Sequence, residues 1–415
     1  MNLPVPTGAD AFLARFRGLR DRLPGPVDAR DAAAAVFAAA GLPGTRDEAW
    51  KYTSLRALGE ASFQEPLTEV SSAPVLGVIP DLARLVLIDG RYQPELSTLP
   101  EGLTVESFAE RPVFGAADGT LPMVALNTML AEDGVHLSVA DGIDAGIVVL
   151  LSVAPDRHRP IDFHPRHSIR LGAGAKLTVL EIARGEGSYL HNAVTEATVG
   201  AGGMLSHVRL QEEGAEAFHV NTTFAEIAEG ATYDAFVLTL GARLARTEVH
   251  ARLAGPNGTV HLNGAQLLTG SQHGDITTVV QHHAPHCASR QTVKNVLDGR
   301  ARGVFQGKIE VARVAQKTDG YQMNQALLLS PTAEIDCKPQ LEIYADDVKC
   351  SHGATVGALD ADQLFYMRSR GVPEAVARAI LVRAFLSEAL DVVHHETARD
   401  LLERAIESWW ERQSA

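Results

Sequence analysis

Residues 169–177 read IRLGAGAKL, and residues 197–205 read ATVGAGGML. Two further segments, EIAEGATYD (226–234) and RLAGPNGTV (252–260), have the same texture: a β-rich run, a glycine turn, then another β-rich run. Gly174, Gly202, Gly230 and Gly258 thus recur at steps of 28 residues. Equal spacing along equal coils returns a chain to the same corner, so these four glycines are expected at stacked, equivalent turns of a solenoid. No amphipathic stretch of helical period lies between them, which argues against a helical solenoid. A stack of β-coils fits better, each unit burying its inner face against its neighbours. A period this long leaves room for more than one short strand per coil. A β-sandwich whose glycines coincide in spacing is the alternative. Beyond residue 258 the spacing blurs, but Gly/Asp turns and alternating strands continue to about residue 348.

Outside this region the pattern changes. In the first 60 residues, Thr7 is placed to cap a helix carrying Phe12, Phe16, Leu19 and Leu23. An alanine-rich helix runs from Asp28 to Ala40, stopped by Gly41 and Pro43. Residues 61–120 are mixed and proline-rich, with a short strand at Leu85–Ile88. A short helical pattern at Asn127–Ala131 precedes a strand at His136–Val139. Past Asp360 the chain returns to helix. Pro373 and Glu374 open a segment with apolar residues at Val376, Ile380, Leu381, Phe385, Leu386, Leu390 and Val393. A final helix from about Ala398 to Arg412 puts Leu402, Ile406 and Trp409 on one stripe, which predicts an exposed apolar patch for a partner across residues 373–412.

The 415 residues suffice for two or three domains with a sizeable core. Their 46% hydrophobic content is that of an ordinary globular protein. The longest clean apolar run, Gly146–Ala154, is less than half a membrane span, and no secretory signal opens the chain. A net charge of −14 leaves no basic surplus for a nucleic-acid backbone and argues against anionic membrane surfaces. Three cysteines, Cys287, Cys337 and Cys350, form no disulfide framework and suit a reducing cytosol. They also cannot build a four-cysteine cluster within one chain. The GAG of residues 172–174 lacks the pattern of a phosphate loop, and no Ser-His-Asp or paired-carboxylate constellation stands out among 51 acids.

Two places could hold metal. In DDVKCSHGAT (346–355), Cys350 and His352 stand two apart, so on a strand they share a face. A thiolate beside an imidazole suits iron or zinc, but two ligands leave a site incomplete, and a second chain is the natural source of the rest. In HHAPHC (282–287), His282 and His283 would point to opposite faces, with Pro285 interrupting the strand. His282, His283, His286 and Cys287 therefore read mainly as loop residues. Lys308, Glu310, Arg313, Lys317 and Asp319 alternate along strands and face solvent on the simplest reading.

The run AQKTDGYQMNQALLLSPTAEIDCKPQLEIYADDVKCSHGATVG (315–357), followed by LFYMRSRGV (364–372), resembles the SufD branch of the SufB/SufD family of iron–sulfur cluster assembly proteins. WKYTS (50–54) and HHAPHCASRQ (282–291) fit the same family. Where the SufB pattern has an acidic EHEAT-type sequence, this chain has Ser351-His352-Gly353-Ala354-Thr355. Cys337 departs from the family pattern, which has threonine there, and no role is carried over to it. The resemblance implies a mainly β fold, a central right-handed parallel β-helix flanked by helical regions. The expected divisions are a helical N-terminal region (1–80), a mixed connecting segment (81–144), the β-helix core (145–352) and a C-terminal helical domain (353–415). It implies a cytoplasmic, non-catalytic scaffold subunit that pairs with a SufB-type subunit through the end of the β-helix. A SufC-type ATPase would dock on the C-terminal helices and supply the energy from ATP, since this chain has no Walker A sequence. His352 and Cys350 become candidate ligands of a nascent iron–sulfur cluster, transient and shared with the partner. A SufB-like homodimeric scaffold is the alternative, and a β-helix enzyme a more distant one.

Overall fold

The computed structural model describes residues 8–65, 82–115, 117, 119–156 and 159–414. Thr7, the expected helix cap, and residues 66–81 of the mixed segment lie outside the described residues. The core is a β-solenoid of about 8 turns, each turn giving one strand to each of two facing sheets. In one sheet Lys176, Met204, Thr232, Thr259, Ala288, Asp319 and Lys349 stack as parallel register partners. In the other, Leu190, Phe218, Leu244, His273, Arg302 and Glu334 do the same.

The corner two residues ahead of each strand of the first sheet explains the glycine repeat. Gly174, Gly202 and Gly230 adopt φ of 67°, 63° and 62° there, and each corner amide donates to a carbonyl of the next coil, as Gly174 N does to Ala201 O at 2.8 Å. Left-handed backbone disfavours a Cβ, so glycine is the default residue. The fourth glycine breaks the expectation by one residue. The step from Thr232 to Thr259 is one shorter than those before it, so the corner falls on Asn257 (φ 60°), and Gly258 sits just past it. His286 (φ 61°) and Lys317 (φ 63°) take the next two corners. The glycine signal fades after 258 because the corner persists while its residue changes.

Between the sheets one half is apolar, with Leu177, Val179, Val199, Leu205, Ile227 and Val260 in a single cluster. The other half is polar, with a paired network at its centre. Glu181 accepts from His207 Nε2 (2.9 Å) and Arg209 Nε (2.8 Å), and Arg209 Nη2 donates to Thr223 Oγ1 (2.7 Å). Burial holds the His207 imidazole down to about 4, so it remains neutral beside this pair.

Helices cover the outer faces. α1 (Ala9–Leu19), α2 (Val27–Ala40) and α4 (Pro122–Leu130) put Phe12, Phe16, Phe37, Leu126 and Met129 against Leu190, Phe218, Val220 and Leu244 of one sheet. The short α3 (Arg56–Glu60) adds Leu58. On the other sheet, α6 (Glu374–Leu390) and α7 (Glu396–Ser414) lay Val382, Leu386, Leu402, Ile406 and Trp409 over Leu180, Leu210, Phe236 and Leu238. Each such side chain contributes roughly 1.5–3 kcal/mol on burial. The expected exposed stripe across 373–412 is thus largely spent on the solenoid. What stays exposed is a smaller patch, Val376 and Ile380 on α6 with Phe365 and Tyr366 on α5 (Ala361–Ser369). Lys294, buried in the sheet, donates to Phe385 O and Glu388 Oε2 and fixes α6 in place.

Candidate functional site at the open end of the solenoid

Both sheets stop at the same end of the molecule, one at Glu334–Ile343 and the other at Lys349–Gly357. Each of these strands pairs on one side only, and Pro339 is tolerated there because an edge strand need not donate throughout. In the neighbouring strand Gly320, Gln322, Asn324 and Ala326 are the buried, inward positions. Their register partners are Cys350, His352, Ala354 and Val356. Cys350 and His352 therefore share the inward face, where the coil that would cover them is absent. Their depth differs: Cys350 packs near Ile309 and Leu341, whereas His352 is exposed.

The polar groups behind them are left short of partners. Gln322, which pairs with His352, is fully buried, and neither its Oε1 nor its Nε2 has a hydrogen-bond partner. Asn324 accepts from Asn295 Nδ2 at 2.8 Å, but its own Nδ2 has none. Buried polar atoms without partners are costly and rare. Around them the rim is apolar, with Ile343, Tyr344, Val356 and Val314 exposed. Burial pushes the Cys350 thiol up from its usual range, and the Cys337 thiol likewise. Either cysteine is thus a protonated, weak ligand unless a cation arrives to favour the thiolate.

The other sequence candidates separate. His282 is buried and its Nε2 contacts Ser289 Oγ at 2.9 Å, His283 is exposed, and His286 occupies a solenoid corner. Cys287 is buried in the apolar interior, with Sγ 3.3 Å from Gly255 O. The HHAPHC run forms one corner of the coil and brings no ligands together. Lys308 pairs with Glu310 on its own strand and with Glu342 on the next, and Asp319 with Arg290, as a solvated face would.

WKYTS turns out to be a clamp. Trp50 lies over the Arg246 guanidinium, and Thr53 Oγ1 contacts His273 Nε2 at 2.9 Å and donates to Asp275. Sequence reading missed the buried group His191, Glu213 and His219, whose ligand-type atoms all lie within 4.8 Å of one another. The signal was available: the two histidines stand one coil apart, in register on adjacent strands. Against the cost of burial, His219 and His191 hold the Glu213 carboxyl far below the usual carboxylate range.

The family model for the SUF system FeS cluster assembly SufBD core domain matches residues 156–385, which take in most of the solenoid and its open end. The chain belongs to the SufBD family. It is 35% identical to the iron-sulfur cluster assembly protein SufD of Escherichia coli over 367 residues, covering 86% of each chain. A SufBD family protein of Synechocystis is 31% identical, with 88% of this chain and 87% of the relative covered. Protein ABCI7, chloroplastic, of Arabidopsis thaliana is 28% identical over 89% of this chain and 83% of its own length. This is a SufD-like SufBD protein of iron–sulfur cluster assembly. None of its described helices is long and apolar enough to cross a membrane.

Proposed function

We propose that this SufBD protein is a non-catalytic, cytoplasmic scaffold subunit that completes the open end of its solenoid with a SufB-type partner. One observation carries the reading: the inward-facing Cys350 and His352 stand on an edge strand, His352 in register with the buried, unpartnered Gln322. An unpaired edge with an exposed apolar rim is a template for another chain's strands. Two donors at such an edge are half of a site that a second subunit finishes. The cluster is then cargo, built across the seam and passed on, with His352 the more available donor and Cys350 recruited as iron lowers its thiol pKa. The exposed Phe365, Tyr366, Val376 and Ile380 form the surface on which a SufC-type ATPase docks.

Co-expression with SufB-type and SufC-type subunits, followed by purification on a tag carried by this chain alone, tests the assembly. Recovery of the homodimer alone would transfer the reading to a SufB-like scaffold. His352→Ala should leave the complex assembled, since one interface side chain rarely carries a large interface, while cluster formation on it fails. Wild-type cluster yield from His352→Ala would place the cargo site elsewhere.

A further inference from the structure

The His191–Glu213–His219 group lies about five strand spacings, roughly 24 Å, from the level of Cys350 and His352 along the solenoid axis. It belongs to no part of the seam. His191 and His219 come from adjacent strands of one sheet, Tyr189–Val199 and Phe218–Ile227, and point inward at the same register. Glu213 comes from the corner before the second of these strands. One coil therefore delivers a carboxylate and an imidazole to an imidazole of the coil before it.

The contacts are those of converging donors. Glu213 Oε1 lies 3.2 Å from His191 Nδ1, and Glu213 Oε2 lies 2.7 Å from His219 Nδ1. All three residues are at least 96% buried. His219 Nδ1, despite that short approach, has no hydrogen-bond partner, so its ring is aimed at the carboxylate without the geometry of an N–H donation. A buried pair this close but poorly aligned leaves polar atoms that a cation between them would satisfy. Gln211 Nε2 donates to Glu213 Oε2 at 2.9 Å, and the rings of Phe163 and His191 lie 4.8 Å apart. A carboxylate oriented by an amide, beside a ring held by an aromatic neighbour, is the support a metal ligand receives in known sites. Glu213 also lines a cleft of about 1320 Å³ between the coil corners and α7, with Glu216, Gly241, Arg243, Arg404 and Trp409.

We propose that His191, Glu213 and His219 bind one first-row divalent cation, ferrous iron or zinc, inside the solenoid. Two neutral imidazoles and one carboxylate are the donor set of both ions where coordination positions stay open for water or another ligand. The group contains no sulfur, so its occupancy is chemically separate from any thiolate site at Cys350.

The test uses the full chain, purified without oxygen and stripped of metal, and titrated with Co(II) alone, then with Fe(II) and Zn(II) alone. The expected result is about one equivalent bound per chain, with visible d–d bands for Co(II) and no near-ultraviolet thiolate-to-cobalt band. His352→Ala and Cys350→Ser should bind as the wild type does. His219→Ala and Glu213→Gln should lose the bands and bind at least 100-fold more weakly, at unchanged circular dichroism. Gln211→Ala should weaken binding by about 10–100-fold. A wild-type chain that binds no saturable equivalent, or whose bound cobalt is lost in Cys350→Ser, overturns the proposal even if the ligand variants fail to fold. Unchanged binding by both folded ligand variants overturns it equally.

Discussion

The guanidinium of Arg246 lies 4.0 Å from the centroid of the Trp50 ring, which ties the WKYTS segment to the middle of the solenoid. Arg246 is fully buried and bonded to Glu248 Oε2 at 2.8 Å and to Asp275, which also accepts from Thr53. Arg246→Met leaves two buried carboxylates without their counter-charge. The expected loss is about 3–5 kcal/mol in urea unfolding, as for other broken buried pairs. Thr53→Val should cost about 1–3 kcal/mol through the same carboxylate. Losses below about 1 kcal/mol for both would show that the segment is not a clamp.

The corners make a sharper forecast. At Gly202 (φ 63°) an added Cβ meets nothing within 4 Å, so Gly202→Ala reports backbone strain alone. It should cost about 1–2 kcal/mol, and Gly202→Asn less, since asparagine tolerates that conformation. Gly200, in contrast, has ordinary backbone, but its Cβ would fall 2.7 Å from the carbonyl carbon of Gly172 on the previous coil. Gly200→Ala must push neighbouring coils apart and should be the more damaging of the two by thermal melting.

Acidification should loosen the molecule between about pH 6.5 and 4. Burial lowers His207 and His282 to about 4 in the folded chain, against about 6.5 when unfolded. A folded pKa below the unfolded one means that the unfolded chain binds more protons in that window. The stabilisation is complete above pH 6.5 and is lost as pH falls toward 4. Each histidine accounts for at most about 3 kcal/mol. His282→Gln should flatten the stability–pH slope between pH 7 and 5, and equal wild-type stability at those two values would refute the assignment.

Partner docking and stability should come apart at the C-terminus. Phe365→Asp with Tyr366→Asp alters exposed side chains on α5, so melting should stay within a degree or two while a SufC-type ATPase is no longer retained. Deleting residues 360–415 should also lose the ATPase, but it strips the cover from Leu180, Leu210, Phe236 and Leu238 and must lower the melting temperature. A truncated chain as stable as the whole would contradict the packing of α6 and α7.

The solenoid was legible because a left-handed corner constrains its residue, and three glycines in succession announce it. Its continuation was hard to read because Asn257, His286 and Lys317 can occupy the same corner. The shared face of Cys350 and His352 followed from strand alternation, and the stripe of Leu402, Ile406 and Trp409 from helical spacing. What covers that stripe did not follow, because a sequence shows which face is apolar but not which surface meets it. The polar half of the interior was missed for a related reason. His191 and His219 become neighbours only once the coil length is known, and HHAPHC drew attention because its histidines are adjacent in the chain.

Successive coils differ in length, with register partners from Lys176 to Lys349 in the first sheet stepping by 27 to 31 residues, yet these strands stay in unbroken register. The excess is taken up outside the ladders, at the bends. An insertion or deletion at a bend therefore leaves every inward side chain on its own rung, whereas one inside a strand turns the rest of that strand inside out. For a lineage acquiring and losing single codons, the bends are the places where length can drift, and the rungs carrying His191, His219, Cys350 and His352 are where it cannot.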